Sequence, residues 1–129
     1  MDVVDSFNIP VDDMERAKKF YEEVFDWKIT AVPGSGGNFH EATTVPVDEE
    51  GRPEVSRGGI NGGLFQRGTH SLERVSLEIN VSSIVESLKK IEAAGGKIVM
   101  PKHPILNIGF FALFMDTEGK IMGLWEDVK

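Results

Sequence analysis

The chain contains two imperfect copies of one sequence unit, and this repeat restricts its fold more than any single motif does. The first copy opens with Asp5-Ser6-Phe7-Asn8-Ile9, and the second opens 70 residues later with Val75-Ser76-Leu77-Glu78-Ile79. The copies also close alike, with Gly63-Leu64-Phe65-Gln66 in the first and Gly123-Leu124-Trp125-Glu126 in the second. Because a repeat builds the same supersecondary unit twice, the pattern of one copy predicts the architecture of both.

Each copy predicts a strand, then a helix, then three more strands. In the first copy, Asp12-x-x-Glu15 resembles a capping box before an apolar pattern of helical spacing, and Ser83-x-x-Glu86 does so in the second. The strands are predicted at Val3–Pro10, Trp27–Val32, Phe39–Val47, Gly58–Gln66, Arg74–Val81, Lys97–Met100, Gly109–Asp116 and Ile121–Glu126, with a loop at Pro101–Pro104. The expected fold is α+β, with two tandem βαβββ modules (about 1–67 and about 73–129) forming a curved mixed sheet around an open cleft.

Composition and charge narrow the function classes. The chain has 129 residues and a formal net charge of −7, without clustered Lys and Arg, which argues against a nucleic-acid partner. No apolar run approaches the roughly 20 residues that span a bilayer, and the first residues lack a signal-peptide pattern. The sequence has no cysteine, which excludes disulfides and thiolate chemistry. We expect a cytoplasmic protein whose partner is a small molecule, with no membrane contact.

Two motifs resemble the vicinal oxygen chelate superfamily, which includes glyoxalase I, bleomycin-resistance proteins and extradiol dioxygenases. Val11–Tyr21 is similar to its first-helix pattern V-x-D-x-x-x-(A/S)-x-x-F-Y, and Phe114–Ile121 is similar to F-x-D-P-(D/E)-G-N-x. Gly58–Gly63, Val99–Lys102 and Met122–Glu126 resemble a glyoxalase-related branch of unassigned function. The resemblance implies a glyoxalase-like fold over the whole chain and, because members usually pair modules, a homodimer.

The resemblance also locates the positions of metal ligands. Metal enzymes of the superfamily use about four His and Glu side chains, from the first and last strand of each copy. The matching positions here are Ser6, Gly63, Ser76 and Gly123. A serine hydroxyl is a poor ligand for a divalent metal and glycine has no side chain. We therefore expect neither the family metal nor another cofactor.

The histidines leave an alternative open. His40 and Glu41 are neighbours on a predicted strand, so their side chains point to opposite faces and cannot bind one ion from a flat strand. His70 is in the linker between the copies, and His103 is in the predicted Pro-flanked loop. A metal-dependent lyase or isomerase, similar to lactoylglutathione lyase but with relocated ligands such as His40 or His103, is the second hypothesis.

Strand alternation predicts which side chains face the cleft, because residues two apart share a face. This predicts an apolar, partly aromatic pocket with a few polar groups, as is usual for a small-molecule site. The predicted substrate-binding residues are Ser6, Asn8, Asn61, Gly63, Ser76, Gly123 and Trp125.

Glu78 is the candidate catalytic residue, because it places a carboxylate in mid-strand between Leu77 and Ile79. We expect apolar surroundings to raise its pKa, so that it acts as a general base or as a hydrogen-bond acceptor for a ligand. The first hypothesis is thus metal-independent binding of a small, partly apolar molecule, with catalysis open. A third hypothesis is a non-enzymatic module that uses the repeated scaffold for dimerisation.

Overall fold

The computed structural model describes residues 1–50, 52, 58–69 and 73–128. Within these residues, the βαβββ order occurs twice, which confirms the predicted α+β arrangement. The elements are β1 (Val3–Val11), α1 (Met14–Phe25), β2 (Lys28–Ala31), β3 (Phe39–Thr43), β4 (Asn61–Gln66), β5 (Ser76–Asn80), α2 (Ile84–Ala93), β6 (Lys97–Ile105), β7 (Gly109–Met115) and β8 (Ile121–Asp127). No helix in the described part of the chain is long and apolar enough to cross a bilayer.

The chain divides into two compact units. The first unit is Ser6–Val75, and the second unit is Ser76–Lys129 together with Met1–Asp5. The first five residues thus belong with the second copy of the repeat, although they precede the first copy in sequence. A hydrogen bond within the second unit helps to hold them: the Asn80 side-chain amide donates to the Asp5 carboxylate at 3.1 Å.

In the first unit the strands follow the order β2-β3-β4-β1. The β2/β3 and β3/β4 pairs are antiparallel, whereas β1 and β4 are parallel. Helix α1 covers one sheet face, where Met14 packs with Val11, Ile29, Ala42 and Leu64. This apolar cluster is the core of the first unit.

In the second unit the order is β5-β8-β7-β6, again with the first and last strands of the copy parallel to each other. Helix α2 covers one face through Ile84 and Leu88, which pack against Val81, Ala112 and Leu124. Each copy of the repeat therefore builds its own helix-on-sheet core.

Both helices begin at a residue whose side chain caps the helix. Ser83 Oγ accepts a hydrogen bond from the Glu86 amide at 3.2 Å, as the capping pattern predicted. In the first copy the predicted cap, Asp12, is wrong by one residue. Asp13 has the extended backbone of an N-cap, and its carboxylate accepts from the Arg16 amide at 3.0 Å.

The last strand of each copy also holds the start of its helix. Gln66 of β4 donates its side-chain amide to the Asp12 carbonyl at 2.9 Å. Glu126 of β8 accepts from the Ile84 amide at 2.7 Å and from the Lys102 ammonium at 3.0 Å. Because Glu126 is buried, its carboxylate stabilises an otherwise unpaired helix N–H at low solvent exposure.

Three strand predictions need correction. The loop predicted at 101–104 is wrong: β6 continues through it to Ile105, with register shifts between Ile98 and Met100 and between Met100 and His103. Prolines are tolerated there because β6 is the end strand of the second unit's order. Strand β4 starts at Asn61 rather than Gly58, since Gly58 and Gly59 have positive φ angles of 76° and 125°. Strand β3 ends at Thr43, before the predicted Val47.

Glu126→Ala tests the helix anchor in the second unit. It leaves the Ile84 amide and the Lys102 ammonium without this carboxylate, so we expect the free energy of unfolding to fall by about 2–3 kcal/mol. The matched control is Glu86→Ala, which removes an exposed pair with Lys89 and should cost about 0.5 kcal/mol or less. Urea denaturation followed by circular dichroism measures both. Equal losses would contradict an anchoring role for Glu126.

Candidate functional site

Strand register sorts the side chains of each unit onto two faces. In the second unit, Ile79 and Leu124 are register partners and pack towards α2. The alternate residues therefore point away from α2. We call the sheet face opposite the helix in each unit its site face, because the predicted binding residues lie there.

The second unit's site face carries a buried carboxylate. Glu78 is only 6% exposed and lies opposite Gly123, which in turn lies opposite the fully buried Leu113. Ser76, two residues before Glu78 on β5, is also buried. The Glu78 carboxylate therefore lies next to Gly123, which has no side chain, and in the same cross-strand row as Leu113. Such an environment is suited to ligand binding or proton transfer.

The next row on this face is polar and aromatic. Asn80 lies opposite Trp125, and Trp125 lies opposite Phe111. The indole N–H of Trp125 donates to the Asp127 carboxylate at 2.9 Å, which fixes the ring orientation. The ring also lies against Gly109, where a β-carbon would overlap it.

The first unit's site face repeats this register with different side chains. Asn8 lies opposite Gly63 just as Glu78 lies opposite Gly123, and Ser6 lies opposite Asn61. Asn8 is 2% exposed. The structure thus places Ser6, Asn8, Asn61 and Gly63 together on one face of the first unit.

Asn61 uses most of its side chain within the chain itself. Its carbonyl oxygen accepts from the amides of Thr44 (2.7 Å) and Val45 (2.8 Å), and its amino group donates to the Val45 carbonyl at 3.3 Å. Both acceptor positions of the amide oxygen are therefore occupied. Asn61 anchors the segment that follows β3, which leaves it little capacity for a ligand.

Phe39 is a site-face residue that the sequence reasoning missed. Its ring stacks on Phe65, with centroids 4.6 Å apart and planes 17° apart. The same ring lies over Gly63: the Phe39 Cζ is 3.2 Å from the place where a β-carbon would be built, and Cε1 is closer. Strand alternation could have indicated this position, since it puts Phe39 and Glu41 on the face opposite to that of His40.

The residues at the four ligand positions do not fit the divalent metal that the resemblance implies. Ser6 and Ser76 offer only hydroxyl groups, and Gly63 and Gly123 have no side chain. At Gly63 the space of a ligand side chain is filled by the Phe39 ring. Among residues 1–50, 52, 58–69 and 73–128 there is no group of three or more His, Asp or Glu side chains that could hold a metal ion.

The histidines are dispersed over different elements. His40 is buried on the α1 side of β3, opposite Ala31 and Leu64, and therefore on the other face from Glu41. Its Nδ1 has no hydrogen-bond partner among the described residues. His103 is exposed on β6 opposite Phe111, in a strand and not in the predicted loop. His70 lies outside the described residues.

The two βαβββ units and their site faces define a protein of the glyoxalase-like fold class. Residues 3–121 match the sequence model of the Glyoxalase/Bleomycin resistance protein/Dioxygenase superfamily, and the chain belongs to that superfamily. The sequence resemblance to this group is therefore confirmed.

Individual relatives agree with this assignment. The anthracycline biosynthesis protein DauV of Streptomyces sp. (strain C5) is 28% identical over 129 residues, covering 92% of this chain and 45% of DauV. The chain thus spans about half the length of the curated relatives it matches.

Solved structures show the same fold. A superfamily member from Vibrio splendidus 12B01 matches with a TM-score of 0.62 at 12% identity, covering 99% of this chain and 100% of that one. Methylmalonyl-CoA epimerase from Mycobacterium tuberculosis matches with a TM-score of 0.64 at 14% identity, covering 98% and 88%.

A double-mutant cycle tests the contact between Phe39 and position 63. Gly63→Ala should destabilise the chain by about 1–3 kcal/mol because the new methyl group overlaps the ring. In a Phe39→Ala background the same substitution should cost close to nothing, which gives a coupling energy above about 1 kcal/mol. The matched control is Gly62→Ala, whose methyl group would meet Phe7 instead. Its cost should be unchanged by Phe39→Ala, and equal coupling for both glycines would contradict the contact.

Metal titration tests the ligand positions directly. We expect chelator-treated protein to bind no stoichiometric Zn²⁺, Ni²⁺, Mn²⁺ or Fe²⁺ in calorimetry. A bound ion would stabilise the folded state by mass action, so we also expect these ions to cause no rise in melting temperature. One tightly bound ion per chain would support the alternative with relocated ligands. Substitution of His40, His103 and Glu78 would then identify the donors.

Proposed function

We propose that this protein binds a small, partly apolar molecule on its site faces and does so without the divalent metal of the family's metal enzymes. The observation that carries the proposal is Glu78, a buried carboxylate on a strand whose neighbours across β8 and β7 are Gly123 and Leu113. Small-molecule sites are mostly apolar, with a few polar groups that fix the ligand's orientation.

Glu78 is not a member of the apolar cluster under α2. That cluster is built from the other face of the sheet. Burying a carboxylate costs free energy, and an apolar side chain of similar size at such a position is often at least as stable. We propose that the Glu78 carboxylate accepts a hydrogen bond or a proton from the ligand.

In a reaction, the carboxylate of Glu78 would take a proton from an acidic C–H or O–H group of the substrate and return it to a different atom or face. This corresponds to isomerase-like chemistry that needs no redox partner. Trp125 and Phe111 would form the apolar wall in the adjacent row, and the Trp125–Asp127 bond would keep that wall in place. In a pure binding protein, the same carboxylate would serve as a ligand acceptor.

The relatives support a small-molecule role over a purely structural one. DauV is named for anthracycline biosynthesis, and one structural neighbour is a methylmalonyl-CoA epimerase. Both names denote chemistry on small molecules, although the structural likeness at 14% identity concerns the fold alone. The homodimer expected from the sequence resemblance stays a prediction.

Glu78→Gln separates binding from catalysis. A ligand found by thermal-shift screening should bind the wild-type chain, and the variant should weaken it by about 5–30-fold in calorimetry if the carboxylate is only an acceptor. If Glu78 is a general base, turnover should fall by about 100-fold or more, with a smaller loss of affinity. The matched control, Glu92→Gln, changes an exposed carboxylate on α2 and should alter neither.

Two outcomes would count against the proposal. Equal affinity and turnover in wild type and Glu78→Gln would remove Glu78 from the site. A diverse library that gives no thermal shift with the wild-type chain would instead favour the non-enzymatic interaction module.

A further inference from the structure

The stacked pair of Phe39 and Phe65 lies on the first unit's site face and outside that unit's core. On the other face of the same two strands, Ala42 and Leu64 belong to the cluster under α1, whereas neither phenylalanine does. Phe65 is 7% exposed and Phe39 is more accessible. Phe39 is therefore the more accessible ring of the pair, and it stacks against a nearly parallel buried ring on the neighbouring strand.

The residues around this pair favour a planar ligand. Gly63 has no side chain, and the Phe39 ring occupies the space that a β-carbon would take there. Pro10 lies opposite Phe65 on β1 and continues the apolar row with a rigid ring. A planar group gains most from such a surface, because offset stacking adds an attraction beyond the area that is buried.

The charges around the pair favour one kind of planar ligand. Glu41 lies on the same face directly opposite Gly63 and is exposed. Lys28 of β2 is on the same face, opposite Thr43, which lies two residues after Glu41 on β3. A carboxylate accepts hydrogen bonds and attracts cations, so the immediate edge of the platform disfavours an anionic ligand.

We infer that Phe39 and Phe65 form a stacking platform for a planar aromatic or conjugated ligand that is neutral or cationic. The inference rests on the proposed function, and it names the ligand class for the site face of the first unit. It also gives a role to position 63, where the resemblance places a metal ligand of the family's metal enzymes and where the Phe39 ring lies in this chain.

Three small molecules of defined shape and charge test the inference on the full chain. Proflavine is planar and cationic, anthraquinone-2-sulfonate is planar and anionic, and 1-adamantanamine is cationic but not planar. We expect saturable 1:1 binding of proflavine by fluorescence, weaker binding of the sulfonate, and no competition by 1-adamantanamine. Displacement of proflavine by 1-adamantanamine at concentrations close to the proflavine Kd would show that charge alone attracts the dye, and it would overturn the inference.

Two pairs of variants assign the binding to this surface. Phe39→Leu keeps the apolar volume but removes the ring, so proflavine affinity should fall by about 5–10-fold. The matched control is Phe20→Leu, an exposed aromatic residue on α1, which should leave the affinity unchanged. Glu41→Gln should narrow the preference for proflavine over the sulfonate, whereas Glu23→Gln, an exposed carboxylate on α1, should not.

A second measurement uses the wild-type chain, in case Phe39→Leu does not fold. Proton NMR of the proflavine complex should show intermolecular contacts between dye protons and the Phe39 ring. Contacts that involve only the aromatic residues of α1, or affinity unchanged by Phe39→Leu, would overturn the inference. The same variants distinguish this inference from the proposed function. A ligand whose affinity falls with Glu78→Gln but not with Phe39→Leu would support the proposed function and reject only the stacking platform.

Discussion

The parallel pairing of the first and last strand in each copy determines most of the architecture of this protein. Parallel neighbours cannot be joined by a tight turn, so the chain between them must leave the sheet and return. It does so through a helix and two further strands, and the helix covers one face of the sheet. The closing strand then lies beside the opening one, where Gln66 and Glu126 reach the helix starts. One pairing thus fixes the core, the helix anchor and the orientation of the site face.

The same pairing explains how two copies of one unit come to offer different chemistry. It places position 8 opposite 63 and position 78 opposite 123, with a glycine on the closing strand each time. Because glycine has no side chain, a neighbouring side chain can occupy the space above it. In the first unit, the Phe39 ring takes that space, and Asn8 is the adjacent polar group. In the second unit, Glu78 is the residue opposite the glycine. The repeat keeps the geometry while its side chains supply an aromatic surface in one copy and a buried acid in the other.

Sequence patterns predicted the features that depend on local periodicity and on the repeat. These include the element order, the Ser83 cap and the shared face of Ser6 and Asn8. They failed where a long-range contact decides the outcome. Asn61 is committed to the backbone at Thr44 and Val45, about 16 residues earlier in the chain, and only the folded register reveals this. The contact of Phe39 with Gly63 likewise depends on how β3 and β4 align. The prolines of β6 indicate a loop by propensity, but an end strand tolerates them because one side of it makes no ladder bonds.

The two helix-facing apolar clusters and the candidate site residues lie on opposite faces of each sheet. The apolar clusters that hold each unit together lie under α1 and α2, and they include neither Phe39 nor Glu78. Substitutions on the site faces can therefore change ligand chemistry while the helix-facing cores remain intact. This separation gives a physical reason why one scaffold can host unrelated activities. It also means that loss of metal ligands need not unfold such a chain, because the fold is stabilised by packing on the opposite side of the sheet. The glycines at positions 63 and 123 are then compatible with a stable fold.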